Sequence, residues 1–115
     1  MKKKNIIKES REFTQILNNK TSKKNYYYSL FYIPKKLSNN RYGISVPKKT
    51  GTAVIRNKLK RQIKSIIDNN EISIQNSYDY VIIIKKSILD LTYQQKEQEL
   101  ISLFKKIGEY NEKNN

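Results

Sequence analysis

Between Lys48 and Lys64 the chain reads K-K-T-G-T-A-V-I-R-N-K-L-K-R-Q-I-K, seven Lys or Arg in seventeen positions and no acid. On an α-helix, at about 100° per residue, Arg56, Asn57, Lys60, Arg61 and Lys64 fall within an arc of roughly 140°. Ile55, Leu59, Ile63 and Ile66 fill most of the opposite side. Cations at i and i+4 repel one another in water, so such a face calls for a surface of closely spaced negative charge. A phosphate backbone is that kind of surface. Asn57, set among the cations, can donate and accept at once, which suits a base edge, a 2′-hydroxyl or a hydrated metal ion beside a phosphate. Pro47-Lys48-Lys49-Thr50-Gly51-Thr52 reads as the turn ahead of the helix, with Thr52 as N-cap and Gly51 free to take φ > 0. Free amides at that helix start can also hold a phosphate. A solvated charge run is the ordinary reading of a Lys-rich helix, but no acid in this arc balances the charge.

A second group of residues suited to nucleic acid is aromatic. Tyr26 to Ile33 is rich in strand formers, and alternation sets Tyr26, Tyr28, Leu30 and Tyr32 on one face, Tyr27, Ser29, Phe31 and Ile33 on the other. With aromatics on both faces, one set can pack while part of the other stays available. Aromatic side chains on a sheet beside cations make a stacking platform for single-stranded nucleic acid, worth about 1–3 kcal/mol per base. For any one Tyr, packing remains the commoner fate.

The elements around these residues follow from pattern. Met1 to Lys8 reads as a flexible basic tail able to follow RNA. Ser10 reads as an N-cap, and Phe13, Ile16 and Leu17 give the apolar face of a short helix ending near Asn18-Asn19. Thr21 to Asn25 reads as a basic loop. Pro34 to Asn40 reads as a turn returning the chain antiparallel into a strand, Arg41 to Val46. There Tyr42, Ile44 and Val46 share one face, while small Gly43 and Ser45 on the other would let a helix or RNA approach the sheet. Asp68-Asn69-Asn70 ends the basic helix, and Glu71 to Ser77 reads as irregular or a fragmentary strand. Tyr78 to Lys85, apolar on both faces, reads as a central strand, and strand, helix, strand implies a parallel crossover. Thr92 and Gln95 form a capping-box pattern opening a last helix, with Gly108 a fitting stop and 109–115 a frayed tail. The fold class expected is α/β, an α+β sandwich in one domain over 1–115. Three helices and a mixed sheet of three to four strands would follow the order α-β-β-(β)-α-β-α.

Composition narrows the function. In 115 residues, 24 Lys plus Arg against 10 Asp plus Glu leave a net charge of +14. Phe13 through Ile67 is 55 residues with thirteen bases and no acid. That asymmetry points to a polyanion, with an anionic membrane the weaker reading because no apolar run approaches a spanning length. Neither a secretory signal pattern nor a membrane span is visible, so the cytoplasm is the expected compartment. Without Cys or His, disulfides, zinc-finger sites and His-based acid–base catalysis are excluded. The basic centre also lacks the clustered carboxylates of a metal-dependent protein nuclease. Strand scission, if it occurs, needs chemistry from another molecule.

The run Tyr42-Gly43-Ile44-Ser45-Val46-Pro47-Lys48-Lys49, followed by Gly51, Ala53-Val54, Arg56-Asn57, Lys60-Arg61 and Lys64, closely resembles the signature of bacterial ribonuclease P protein subunits. In that family a strand of the form (F/Y)-G-(I/L)-S-V-x-K-K leads into an arginine-rich helix. Lys58 and Lys64 stand where the family often has Arg, which keeps the charge and loses the planar fork for bidentate phosphate contact. The resemblance implies an α/β sandwich with a left-handed βαβ crossover, against the usual right-handed rule. It also implies a division of labour in which an RNA subunit with bound Mg²⁺ removes the 5′ leader of precursor tRNA. The protein would bind that RNA through Lys48, Lys49, Arg56, Asn57, Lys58, Lys60, Arg61 and Lys64. Phe13, Leu17, Tyr28 and Phe31 would line the cleft for the leader, with Leu17 at a position that is often Phe. No catalytic side chain, no protein-held metal, no membrane contact and no obligate protein partner are implied. A non-catalytic RNA-binding protein of small-ribosomal type fits charge and size equally, and only the ordered signature separates the two.

Overall fold

Tyr80-Val81-Ile82-Ile83-Ile84 is apolar on both faces and needs cover on both. In a computed structural model, which describes residues 1–19, 21–35 and 39–114 and only the backbone of 108–114, this segment lies inside the sheet. The elements are α1 (Ser10–Asn18), β1 (Ser22–Lys24), β2 (Tyr28–Pro34), β3 (Arg41–Ser45), α2 (Ala53–Asn69), β4 (Tyr78–Ile84) and α3 (Tyr93–Asn114). The sheet order is β1-β2-β4-β3. β2 runs antiparallel to β4, Tyr28 opposite Ile84, and β3 runs parallel to β4, Arg41 opposite Asp79. Three helices and a four-stranded mixed sheet give the expected α/β class.

Several local expectations are corrected. The turn after β2 does not close a hairpin, because β4 inserts between β2 and β3; only a strand apolar on both faces gains from that central position. Residues 36–38 of that turn lie outside the described residues. The fourth strand is β1, three residues in the segment read as a basic loop, paired with Ser29 to Phe31. Too short to carry a periodicity of its own, β1 owes its existence to the partner strand. Of the two readings of Glu71 to Ser77, the irregular one holds: Glu71–Ser73 is a 3₁₀ turn and no strand forms there. The N-terminal segment does not trail away: Ile6 bridges Tyr42, the Ile7 N–H donates to the Tyr42 carbonyl at 2.9 Å, and Ile7 is buried. Ser10 is the first helical residue and makes no capping bond, Glu9 taking the cap position. α3 opens on the expected capping box, with Thr92 and Gln95 exchanging bonds of 3.0 and 3.2 Å. It then continues through Gly108 to Asn114; a glycine costs about 1 kcal/mol in a helix interior but does not end one unaided. Asn115 lies outside the described residues.

The two sheet faces are covered unequally. On one, Tyr28, Leu30, Tyr42, Tyr80, Ile82 and Ile84 join Leu59, Ile63 and Ile66 of α2 and Leu100, Leu103 and Phe104 of α3 in the main core. Tyr42 and Tyr80 stack at 5.5 Å, and Phe104 meets Tyr80 edge-on at 5.0 Å. Their polar tips are satisfied: the Tyr80 hydroxyl donates to the Gln75 carbonyl at 2.7 Å, and the Asn40 amide donates to the Tyr42 hydroxyl at 3.2 Å. On the other face Ile16 of α1 is buried with Val81 and Ile7, while Phe13, Leu17, Phe31, Ile33 and Ile83 are only half-covered. That partly open face, which carries the Phe13 and Phe31 rings, is where the sequence reading sets the leader cleft.

Candidate nucleic-acid interface

Alternation along each strand decides which side chains reach this cleft. Phe13 and Leu17 of α1 and Phe31 of β2 meet there, as expected. Tyr28 does not. It sits on the opposite face, fully buried, its hydroxyl donating to the Lys96 carbonyl at 2.9 Å, and burial pushes its pKa up. The assignment of Tyr28 to the cleft is therefore corrected: it lies three positions before Phe31, and an odd offset in a strand puts two side chains on opposite faces.

Gly43 lets α1 approach. A Cβ at that position would lie 2.3 Å from Cε2 of Phe13, so the Phe13 ring rests on bare backbone. The small face foreseen on this strand thus receives a helix. Across the cleft, the Lys24 ammonium lies 5.6 Å from the centre of the Phe31 ring, a cation–π distance.

An ion cluster anchors α1 to the sheet, and the sequence reading missed it. Arg41 donates to both carboxylate oxygens of Asp79, at 3.1 and 2.8 Å, and to Glu12 of α1. Lys35 reaches Asp79 at 3.2 Å. Burial alone would push the Asp79 carboxyl up, but hydrogen bonds and charge from Arg41 and Lys35 hold it below the usual range. A lone acid inside an otherwise apolar strand was the available signal.

The cationic helix forms as its pattern requires. Thr52 caps α2, its hydroxyl accepting from the Ile55 N–H at 3.3 Å, and Leu59, Ile63, Ile66 and Ile67 are buried. Lys48 and Lys49 stand exposed on the 3₁₀ turn before it, and Asn57, Lys58 and Arg61 are exposed on α2. Arg56, Lys60 and Lys64 are half-buried, with Arg56 donating to the Gly51 carbonyl at 3.2 Å. Gly51 itself is extended rather than left-handed. Among the described residues no acid pairs with any of these cations. Lys58 stands toward α3, where burial first and the Lys58 charge second lower the pKa of Lys96.

Among the described residues, no three His, Cys, Asp or Glu side chains group to hold a metal ion. Glu12 and Asp79 are already engaged by Arg41, so these residues do not form a site for Mg²⁺. No helix among them is long and apolar enough to cross a membrane.

Comparison with known proteins places this geometry. The family model described as Ribonuclease P matches residues 1–108. The ribonuclease P protein component of Mycoplasma capricolum is 44% identical over 108 residues, covering 93% of this chain and 99% of that protein. The solved RNase P protein of Thermotoga maritima superposes with a TM-score of 0.82 at 28% identity, over 87% of this chain and 94% of that one. The Staphylococcus aureus RNase P protein does so at 0.81 and 30% identity, over 88% and 93%. A likeness that spans nearly the whole of both chains leaves the small-ribosomal-protein reading without support, and the chain belongs to the ribonuclease P protein family.

Proposed function

We propose that this chain binds the RNA subunit of ribonuclease P and the 5′ leader of precursor tRNA, and so assists Mg²⁺-dependent removal of the leader in the cytoplasm. The observation that carries the reading is the α2 face: a row of cations with no acid to neutralise it among the described residues, on a fold whose opposite sheet face, under α1, is only half-covered and carries Phe13 and Phe31. Lys48, Lys49, Arg56, Asn57, Lys60, Arg61 and Lys64 would meet RNA phosphates, with Lys58 at the edge of that face. Phe13 and Phe31 would stack leader bases, with Leu17 lining the cleft as an apolar wall. Mg²⁺ and the bond-breaking step belong in this reading to the RNA, and the protein contributes by screening repulsion between two RNAs, which lowers the Mg²⁺ they need. This is a rate effect open to a small basic protein without chemical groups of its own.

Cleavage of a precursor tRNA at low Mg²⁺ tests it, using ribonuclease P RNA alone, with this protein, and with an Arg56→Ala, Asn57→Ala, Lys60→Ala variant. The wild-type protein should restore cleavage at the mature 5′ end and the variant should not. The variant's RNA affinity should also fall less steeply with salt, the log–log slope dropping by about 2 for the two lost cations. Cleavage by the protein without RNA would overturn the division of labour.

A further inference from the structure

The turn between β1 and β2, Asn25 to Tyr27, is built more firmly than a three-residue connection needs. The Asn25 side-chain oxygen accepts from the Tyr27 and Tyr28 N–H groups at 2.9 and 2.8 Å. The Lys85 ammonium donates to the Asn25 carbonyl at 2.6 Å, and the Ser87 hydroxyl to the Tyr26 carbonyl at 2.7 Å. Every bond holds backbone, and the result is to hold one ring outside the fold: Tyr26 is 74% exposed, its ring edge-on to Tyr27 at 5.2 Å. A large aromatic held in water by a rigid turn gains nothing for folding, since its apolar area stays wet. For a partner it is preorganised, because ordering entropy has already been spent on folding.

The surroundings say which partner. Lys24, whose ammonium lies over Phe31 of the cleft, is two residues before Tyr26. Exposed Lys86 precedes Ser87 on the neighbouring 3₁₀ turn. Glu99 of α3 accepts from the Asn25 side-chain amide at 3.4 Å. Cleft aromatic on β2, cation at the end of β1 and exposed aromatic in the turn that joins them combine rings and positive charge, the pattern that binds a single strand of nucleic acid.

We infer that Tyr26 is a further stacking site, outside the α1 cleft, for an unpaired base of the precursor-tRNA leader. The inference rests on the function proposed above and extends the leader's path past Phe31 and Lys24. A phenyl ring would serve as well as a phenol, because stacking uses the ring face and the Tyr26 hydroxyl has no described partner.

The test measures the affinity of the assembled RNA–protein enzyme for precursor tRNAs whose leaders grow one nucleotide at a time, with wild type, Tyr26→Ala and Tyr26→Phe. Wild type should gain affinity stepwise, and Tyr26→Ala should lose one step, about five- to tenfold, at the lower end of what a stacked base contributes. Tyr26→Phe should keep it, and a leaderless tRNA should bind all three alike. Equal profiles for wild type and Tyr26→Ala would overturn the inference while leaving the proposed function standing. A loss that is the same with a leaderless tRNA would also overturn it, by giving the ring to the RNA subunit. A wild-type enzyme indifferent to leader length would instead sink the cleft reading beneath it.

Discussion

Asp79 shows what one residue contributes. With its side chain 9% exposed it would be costly to ionise alone, yet it accepts from Arg41 and Lys35 and is held below the usual carboxylate range. A carboxyl whose pKa is lowered by folding adds stability that is complete above its unfolded value of about 3.9 and is lost as pH falls through the lower folded value. Asp79→Asn should therefore destabilise the protein by about 2–4 kcal/mol near neutral pH, because it leaves Arg41 and Lys35 short of a partner. The gap in melting temperature between wild type and variant should hold steady down to about pH 4 and narrow below it. A gap independent of pH would show that the carboxylate's charge is not what the cluster uses. The sequence carried only a hint of this site, an acid among apolar neighbours. Its partners come from the residue after β2, from β3 and from α1, and a register cannot be read one strand at a time.

At the scale of elements, α1 is seated by two contacts of different kind, the Arg41–Glu12 ion pair and the Phe13 ring against Gly43. Gly43→Ala would put a methyl within 2.3 Å of that ring, so Phe13 must move or α1 must lift. The expected cost is about 1–3 kcal/mol, as for other overpacked sites, read as a lower melting temperature. Binding of precursor tRNA should weaken only for substrates that carry a leader. Unchanged leader binding would mean that the position of α1 does not shape the cleft. α2 needs less tertiary help. Its cap, apolar stripe and cationic arc are all local in sequence, and the structure reproduces them from Thr52 to Asn69. β1 is the reverse case, a strand of three residues that exists because β2 offers an edge.

For the whole molecule the governing quantity is charge. A net +14 on 115 residues repels itself, and the α2 cations find no acid among the described residues. Polyvalent anions that bind the folded state should stabilise it by mass action. Sulfate or pyrophosphate should raise the melting temperature more than chloride at matched ionic strength, and equal shifts would show screening alone. What the chain determined by itself was what neighbours in sequence can encode: the amphipathic cationic helix with its N-cap Thr52, the capping box at Thr92, the two-faced apolar strand β4, and the charge that selects a polyanion. The tertiary structure decided which strands pair and which side chains then share a face. β4 entered between β2 and β3 because a strand apolar on both sides buries most in the middle. That choice opened one face to α1, turned Tyr28 into the main core, brought Phe31 to the cleft and set Asp79 beside Arg41. Alternation alone set Tyr28 and Phe31 on opposite faces, but which of those faces α1 covers and which acid meets Arg41 depend on contacts between segments far apart in the chain.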